Sequence, residues 1–145
     1  MNKELKHFVS ELSRLEPAHD DFSLEQTLYE LVDTIEGEDA SPVFDQIFAF
    51  FERFPNAQHG SPGPLVHLVE RSLPAYLGEL VLSIQRRPAP HTLWMLNRVL
   101  NSEIPAAQRA EFMALLEAST RHPLADEIAR QEATEFLRYQ RGRPS

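Results

Sequence analysis

The chain has 145 residues, with 22 acidic and 14 basic side chains and a formal net charge of −8. That length is enough for one domain with one core, burying roughly 68–70% of the unfolded surface. There is no cysteine, which excludes disulfides and thiolate metal sites.

The charge is uneven. Residues 1–60 carry thirteen acids and four bases; residues 61–145 carry nine and ten. An acidic half repels phosphate backbones, which argues against nucleic-acid binding and suits either a basic protein partner or a plain solvated surface. The N-terminal MNKELKHFVSELSRLE is amphipathic and lacks the apolar run of a signal peptide. No stretch approaches the ~18 apolar residues of a membrane span, so a cytoplasmic location is the default expectation.

The spacing predicts a first helix from about Asn2 to Leu15, with Leu5, Phe8, Val9, Leu12 and Leu15 on one stripe and Pro17 as its stop. A second begins at Ser23, where Ser23-Leu24-Glu25-Gln26 fits a capping box. Leu24, Leu28, Leu31, Val32 and Ile35 form its inner stripe, and Gly37 ends it. Its opposite face shows Glu25, Tyr29, Asp33 and Glu36, with Glu38 and Asp39 in the following turn. An aromatic among acids fits a partner-binding anchor; it also fits a solvated helix face.

Ser41-Pro42 reads as the next start, with Ser as cap and Pro in the first turn. Five of the nine Phe residues follow, at 44, 48, 50, 51 and 54, and such a helix is core rather than a cofactor box. After the loop PNAQHGSPG, Pro64 opens a short fourth helix, and Pro74 separates it from a fifth carrying Tyr76, Leu77, Leu80, Val81 and Ile84 inward.

The stiff Arg86–Pro90 connector leads into a sixth helix with His91 or Thr92 near its cap. Leu93, Trp94, Met95, Leu96, Val99 and Leu100 make this helix apolar almost all round, so the others should pack about it. Pro105 opens a seventh helix with Phe112, Leu115 and Leu116 in the core. His122-Pro123 starts an eighth, with Leu124, Ile128, Ala129, Phe136 and Leu137 inward. The tail RGRPS is expected to fray.

No segment alternates like a strand. The expectation is therefore one all-α domain over 1–145, seven or eight short helices in antiparallel neighbours, arranged HEAT-like or as an irregular bundle. No strict repeat is visible.

Phosphate-binding, serine-hydrolase and zinc-protease motifs are missing, and the six histidines are scattered. Glu16-Pro17-Ala18-His19 has the spacing of a di-iron motif but is unpaired and contains a helix breaker, so it reads as chance. His67 and Glu70 read as a solvated pair rather than a metal site. No metal or cofactor is expected. Trp94, Asn97, Arg98 and Asn101 form a polar stripe on the sixth helix. It is either a recognition or catalytic groove, or a set of polar groups bonding to neighbouring helix ends.

The segments GSPGPLVH (60–67) and PHTLWMLNR (90–98) resemble small all-helical immunity proteins of bacterial polymorphic and contact-dependent toxin systems. The resemblance implies a one-domain cytoplasmic inhibitor of a single cognate toxin, many such toxins being nucleases with basic clefts. It implies no enzyme activity and transfers no binding residue. The acidic face at Glu25, Tyr29, Asp33, Glu36, Glu38 and Asp39 is the candidate surface. A helical adaptor for another protein, or an enzyme with a pocket near Trp94, Asn97 and Arg98, are the rival expectations.

Overall fold

Apolar side chains at three- and four-residue steps give one buried stripe per helix, and the computed structural model follows that pattern throughout residues 1–17, 21–60, 62–72 and 74–143. Among these there are eight α-helices and no strand: α1 (Lys3–Arg14), α2 (Asp21–Asp33), α3 (Phe44–Arg53), α4 (Pro64–Glu70), α5 (Leu77–Arg86), α6 (Pro90–Leu100), α7 (Ala106–Ser119) and α8 (Glu127–Arg141). No helix among the described residues is long and apolar enough to cross a membrane. Internal contacts divide the chain into two units, Met1–Glu79 and Leu80–Ser145, with α5 straddling the boundary in sequence.

In the first unit α1 packs on α2 and α3, and α2 packs on α4. Leu5, Phe8 and Leu12 of α1 are buried, as are Leu24, Leu28, Leu31 and Val32 of α2. Asn2 caps α1: its Oδ1 accepts from the Leu5 amide at 2.9 Å. The second helix starts at Asp21, so Ser23 lies inside it and is not its cap; its carbonyl accepts from the Thr27 hydroxyl. Turns carry the chain on from Asp33 to Gly37, which stops it at φ +83°.

Ser41 is likewise not the cap of the Phe-rich helix. Residues Ser41–Val43 form a 3-10 turn with Ala40 as its N-cap, and Asp39 closes a local side-chain turn before it, its Oδ1 accepting from the Ser41 amide at 3.0 Å and hydroxyl at 2.6 Å. Phe44, Phe48, Phe50 and Phe51 are then fully inside. Phe54 is half-buried at the helix end, with the Arg53 guanidinium over its ring.

The loop before α4 closes tightly. Gly60 and Gly63 have φ of +115° and +90°, and a Cβ on Gly63 would stand 2.1 Å from the His59 carbonyl oxygen. That loop seats His59 among the phenylalanines. Its ring is fully buried, stacked on Phe51 at 5.6 Å and edge-on to Phe50 at 5.7 Å. Pro64 opens α4 as its spacing predicts, and Pro74 falls between α4 and α5.

In the second unit α6, α7 and α8 pack on one another. Leu93, Met95, Leu96 and Leu100 are fully buried, but Trp94 is half-buried and does not lie at the centre. Thr92 stands in the first turn of α6; its hydroxyl accepts from the Ala89 amide at 3.2 Å and donates to the Ala89 carbonyl at 3.0 Å. α8 begins later than expected, at Glu127, capped by Asp126, whose Oδ1 accepts from the Ala129 amide at 2.9 Å.

The inner face of α8 is Ala129, Ala133, Leu137 and Gln140. Leu124 and Ile128, expected inward, are 61% and 51% exposed. The small residues win because they let α8 approach its neighbours closely, which bulky side chains at the same positions would prevent.

Candidate partner-binding surface

The acidic residues singled out on α2 divide into two groups. Tyr29 is 44% exposed, Asp33 one turn further on is exposed, and so is Glu36 in the turn after α2. Helical spacing carries Tyr29 and Asp33 away from the stripe of Leu24, Leu28 and Leu31. Glu25 is half-buried, its Oε1 3.0 Å from the place a Cβ on Gly60 would occupy. This carboxylate therefore sits against the glycine loop.

Glu38 and Asp39 are bonded within the chain. Glu38 Oε2 accepts from Asn2 Nδ2 at 2.8 Å, tying the turn after α2 to the cap of α1. The Ser41 hydroxyl and amide stabilise the Asp39 carboxylate and hold its pKa below the ordinary value of 3.8. All of the predicted set except Glu25 is therefore exposed; Glu38 and Asp39 also serve bonds within the chain, and Tyr29, Asp33 and Glu36 make up the rest of the candidate surface. Counted over the whole unit, residues 1–79 carry fifteen acidic and five basic side chains, against seven and nine in residues 80–145.

On the other flank of α2 a groove of about 240 Å³ runs between it and α1, lined by His7, Glu11, Leu15, Thr27, Glu30, Leu31 and Thr34. A larger recess of about 550 Å³ is lined by residues of α8 alone, among them Glu127, Arg130, Glu135 and Arg138. Because one helix supplies every wall, it is a charged helix face and not an enclosed cleft.

The polar stripe of α6 bonds to the end of α8. Gln140, buried, donates through Nε2 to Asn97 Oδ1 at 2.7 Å and to Asn101 Oδ1 at 2.8 Å. Arg143 Nη1 donates to the Leu100 carbonyl at 3.0 Å, to Asn101 Oδ1 at 2.9 Å and to Gln140 Oε1 at 3.2 Å. A guanidinium on a helix's last carbonyl is favourable by charge as well as by hydrogen bonding. The tail expected to fray is held by these bonds as far as Arg143, while Pro144 and Ser145 lie outside the described residues. The Arg98 guanidinium stacks over the Trp94 ring at 4.7 Å.

Gln140 and Arg143 were not singled out in the sequence. The signal that could have found them is the run Ala125, Ala129, Ala133, Leu137, which continues helically to position 140. The Glu16–His19 spacing cannot be followed, since Ala18 and His19 lie outside the described residues. His67 is exposed on α4. Among the described residues no group of three or more His, Asp or Glu side chains is placed to hold a metal ion. No family model, curated protein or solved structure matches the chain.

Proposed function

We propose that the chain is an immunity protein that binds a cognate bacterial toxin non-covalently and occludes its working cleft. The observation that carries this reading is the exposed face of α2, where Tyr29 stands one turn before Asp33, with Glu36 in the turn that follows the helix, on a unit with three times as many acids as bases. Such a face speeds encounter with a basic surface and repels acidic competitors. Tyrosine is enriched among the few residues that dominate interfaces, and here exposed acids follow it at 33 and 36 to form a rim. The resemblance of segments 60–67 and 90–98 to immunity proteins points the same way.

Co-expression with the toxin encoded beside it is the direct test. Survival with both present supports the reading; continued killing rules it out for that pair. Asp33→Lys with Glu36→Lys should weaken the complex most at low salt while leaving the fold intact, both side chains being exposed. Glu25 is best left alone in this experiment, because its contact with the Gly60 loop would confound binding with stability.

A helical adaptor is the second reading, and one observation favours it. Leu124, Ile128 and Tyr139 stand 61%, 51% and 54% exposed in the second unit, a set of large apolar groups that the α2 face does not involve. A partner held there would bind the α2 variant as tightly as the wild type.

A further inference from the structure

We propose that the groove between α1 and α2 receives a single arginine side chain of the partner protein. This rests on reading the first unit as the binder of a basic protein, and it names a second point of engagement on that unit.

The walls define the occupant. Leu15 and Leu31 supply an apolar floor. The Thr27 and Thr34 hydroxyls donate to the Ser23 and Leu31 carbonyls, at 2.9 and 2.6 Å, so their donor capacity is used within α2 and the turn after it. Glu11 and Glu30 supply carboxylates from the two facing helices.

Among the described residues each of these acids has one weak partner. Glu11 lies 3.7 Å from an Arg14 whose side chain is largely in solvent, and Glu30 Oε1 accepts from Gln26 at 3.3 Å. A carboxylate has about four acceptor sites, so both retain capacity. An apolar trough between two anions matches an arginine, whose methylene stem lies on apolar surface while its fork meets carboxylates.

Size and field agree. Drug-sized ligands and cofactors occupy roughly 300–1,000 Å³, whereas a cavity of about 150 Å³ holds benzene. At about 240 Å³ the groove suits one long side chain. Leu15 and Glu11 belong to the C-terminal end of α1, where the helix dipole is negative. That end already attracts one cation, Arg53 donating to the Leu12 carbonyl at 3.4 Å.

The test uses the whole chain with labelled methyl groups, titrated at low salt with butylguanidinium and, separately, with neutral butylurea. Saturable shifts at the Leu15, Thr27, Leu31 and Thr34 methyls with butylguanidinium alone are expected. The Glu11→Gln/Glu30→Gln variant should raise the apparent Kd at least tenfold; both side chains are exposed, and an unchanged spectrum elsewhere verifies its fold. Equal shifts with butylurea, or an unchanged Kd in the variant, would overturn the proposal.

A second arm uses the cognate toxin. Loss of at least tenfold in affinity on the double substitution supports the groove. Wild type and variant binding alike would remove the groove and leave the immunity reading standing. No binding by the wild type would remove both.

Discussion

The contact between Gln140 and α6 allows a quantitative test of how the second unit is held together. Gln140→Leu keeps the approximate volume and removes a donor that serves two acceptors, Asn97 Oδ1 and Asn101 Oδ1, at 2.7 and 2.8 Å. It also removes Oε1, but Arg143 Nη1 keeps the Leu100 carbonyl and Asn101 Oδ1 as acceptors, so the cost falls on the two asparagines, and unequally. Asn101 is exposed, so water replaces the lost bond and the change there is about 0.5–1 kcal/mol. Asn97 is 9% exposed, so its oxygen is left without a donor, which costs about 1–3 kcal/mol. The expected total is about 2–3 kcal/mol, a substantial part of the ~5–15 kcal/mol that holds a typical domain.

Adding Asn97→Leu removes the stranded acceptor. Replacing both partners by apolar groups of similar shape is nearly neutral, so the double variant should be more stable than the sum of the singles by about 1–2 kcal/mol. Urea denaturation followed by circular dichroism reads this directly. With a slope of about 1–3 kcal/mol/M, the single variant's midpoint should fall by about 1 M. Strictly additive losses, or a single-variant loss below about 0.5 kcal/mol, would refute the buried-pair argument.

Phe51→Ala should cost about 3–5 kcal/mol in the same assay, because its ring is 1% exposed, meets Phe48 edge-on at 5.9 Å and carries His59 stacked on its face. Asp39 gives a pH signature. Its folded pKa lies below the ordinary 3.8, so the unfolded chain takes up its proton first as pH falls. Its stabilisation is complete above the unfolded value and disappears as pH drops through the lower folded one. Wild type should therefore exceed Asp39→Ala by a constant margin from pH 7 to about pH 5, and the margin should close only below about pH 4. Thermal midpoints measured against pH for the two proteins check both statements.

The all-helical character was legible because leucine and phenylalanine spacing leaves little choice of period. The prolines at 64, 74 and 90 marked boundaries correctly, since each constrains both its own φ and the residue before it. Cap positions were harder to read. Ser23-Leu24-Glu25-Gln26 satisfies the local rule for a helix start, yet nothing in that rule forbids helix upstream, and α2 begins at Asp21. Similarly Ser41 looks like a cap until Asp39, two residues earlier, accepts from it.

The inner face of α8 was legible only in part: Ala129 and Leu137 are buried as their spacing predicts, whereas Leu124 and Ile128 are not. Pattern reading favours the largest apolar residues, whereas close packing favoured the alanine stripe and left Leu124 and Ile128 in solvent. For the candidate surface, helical spacing grouped Glu25, Tyr29, Asp33 and Glu36, and adjacency in the turn added Glu38 and Asp39. Neither could show that Glu38 and Asp39 bond to Asn2 and Ser41, because those partners come from elsewhere in the chain or from the turn itself. The α1–α2 groove was invisible for the same reason, since its walls come from two helices.

The close approach of Gly60, Gly63 and the His59 carbonyl has a genetic consequence. A side chain at 60 would strike the backbone of Gly63, and one at 63 would strike the His59 carbonyl, so neither position has room for even a methyl group. Two of the chain's five glycines are therefore fixed by atomic clearance and not by chemistry. A randomised library screened only for soluble protein should return glycine at both sites. At neighbouring Gln58, whose side chain is in solvent, it should return nearly every residue type.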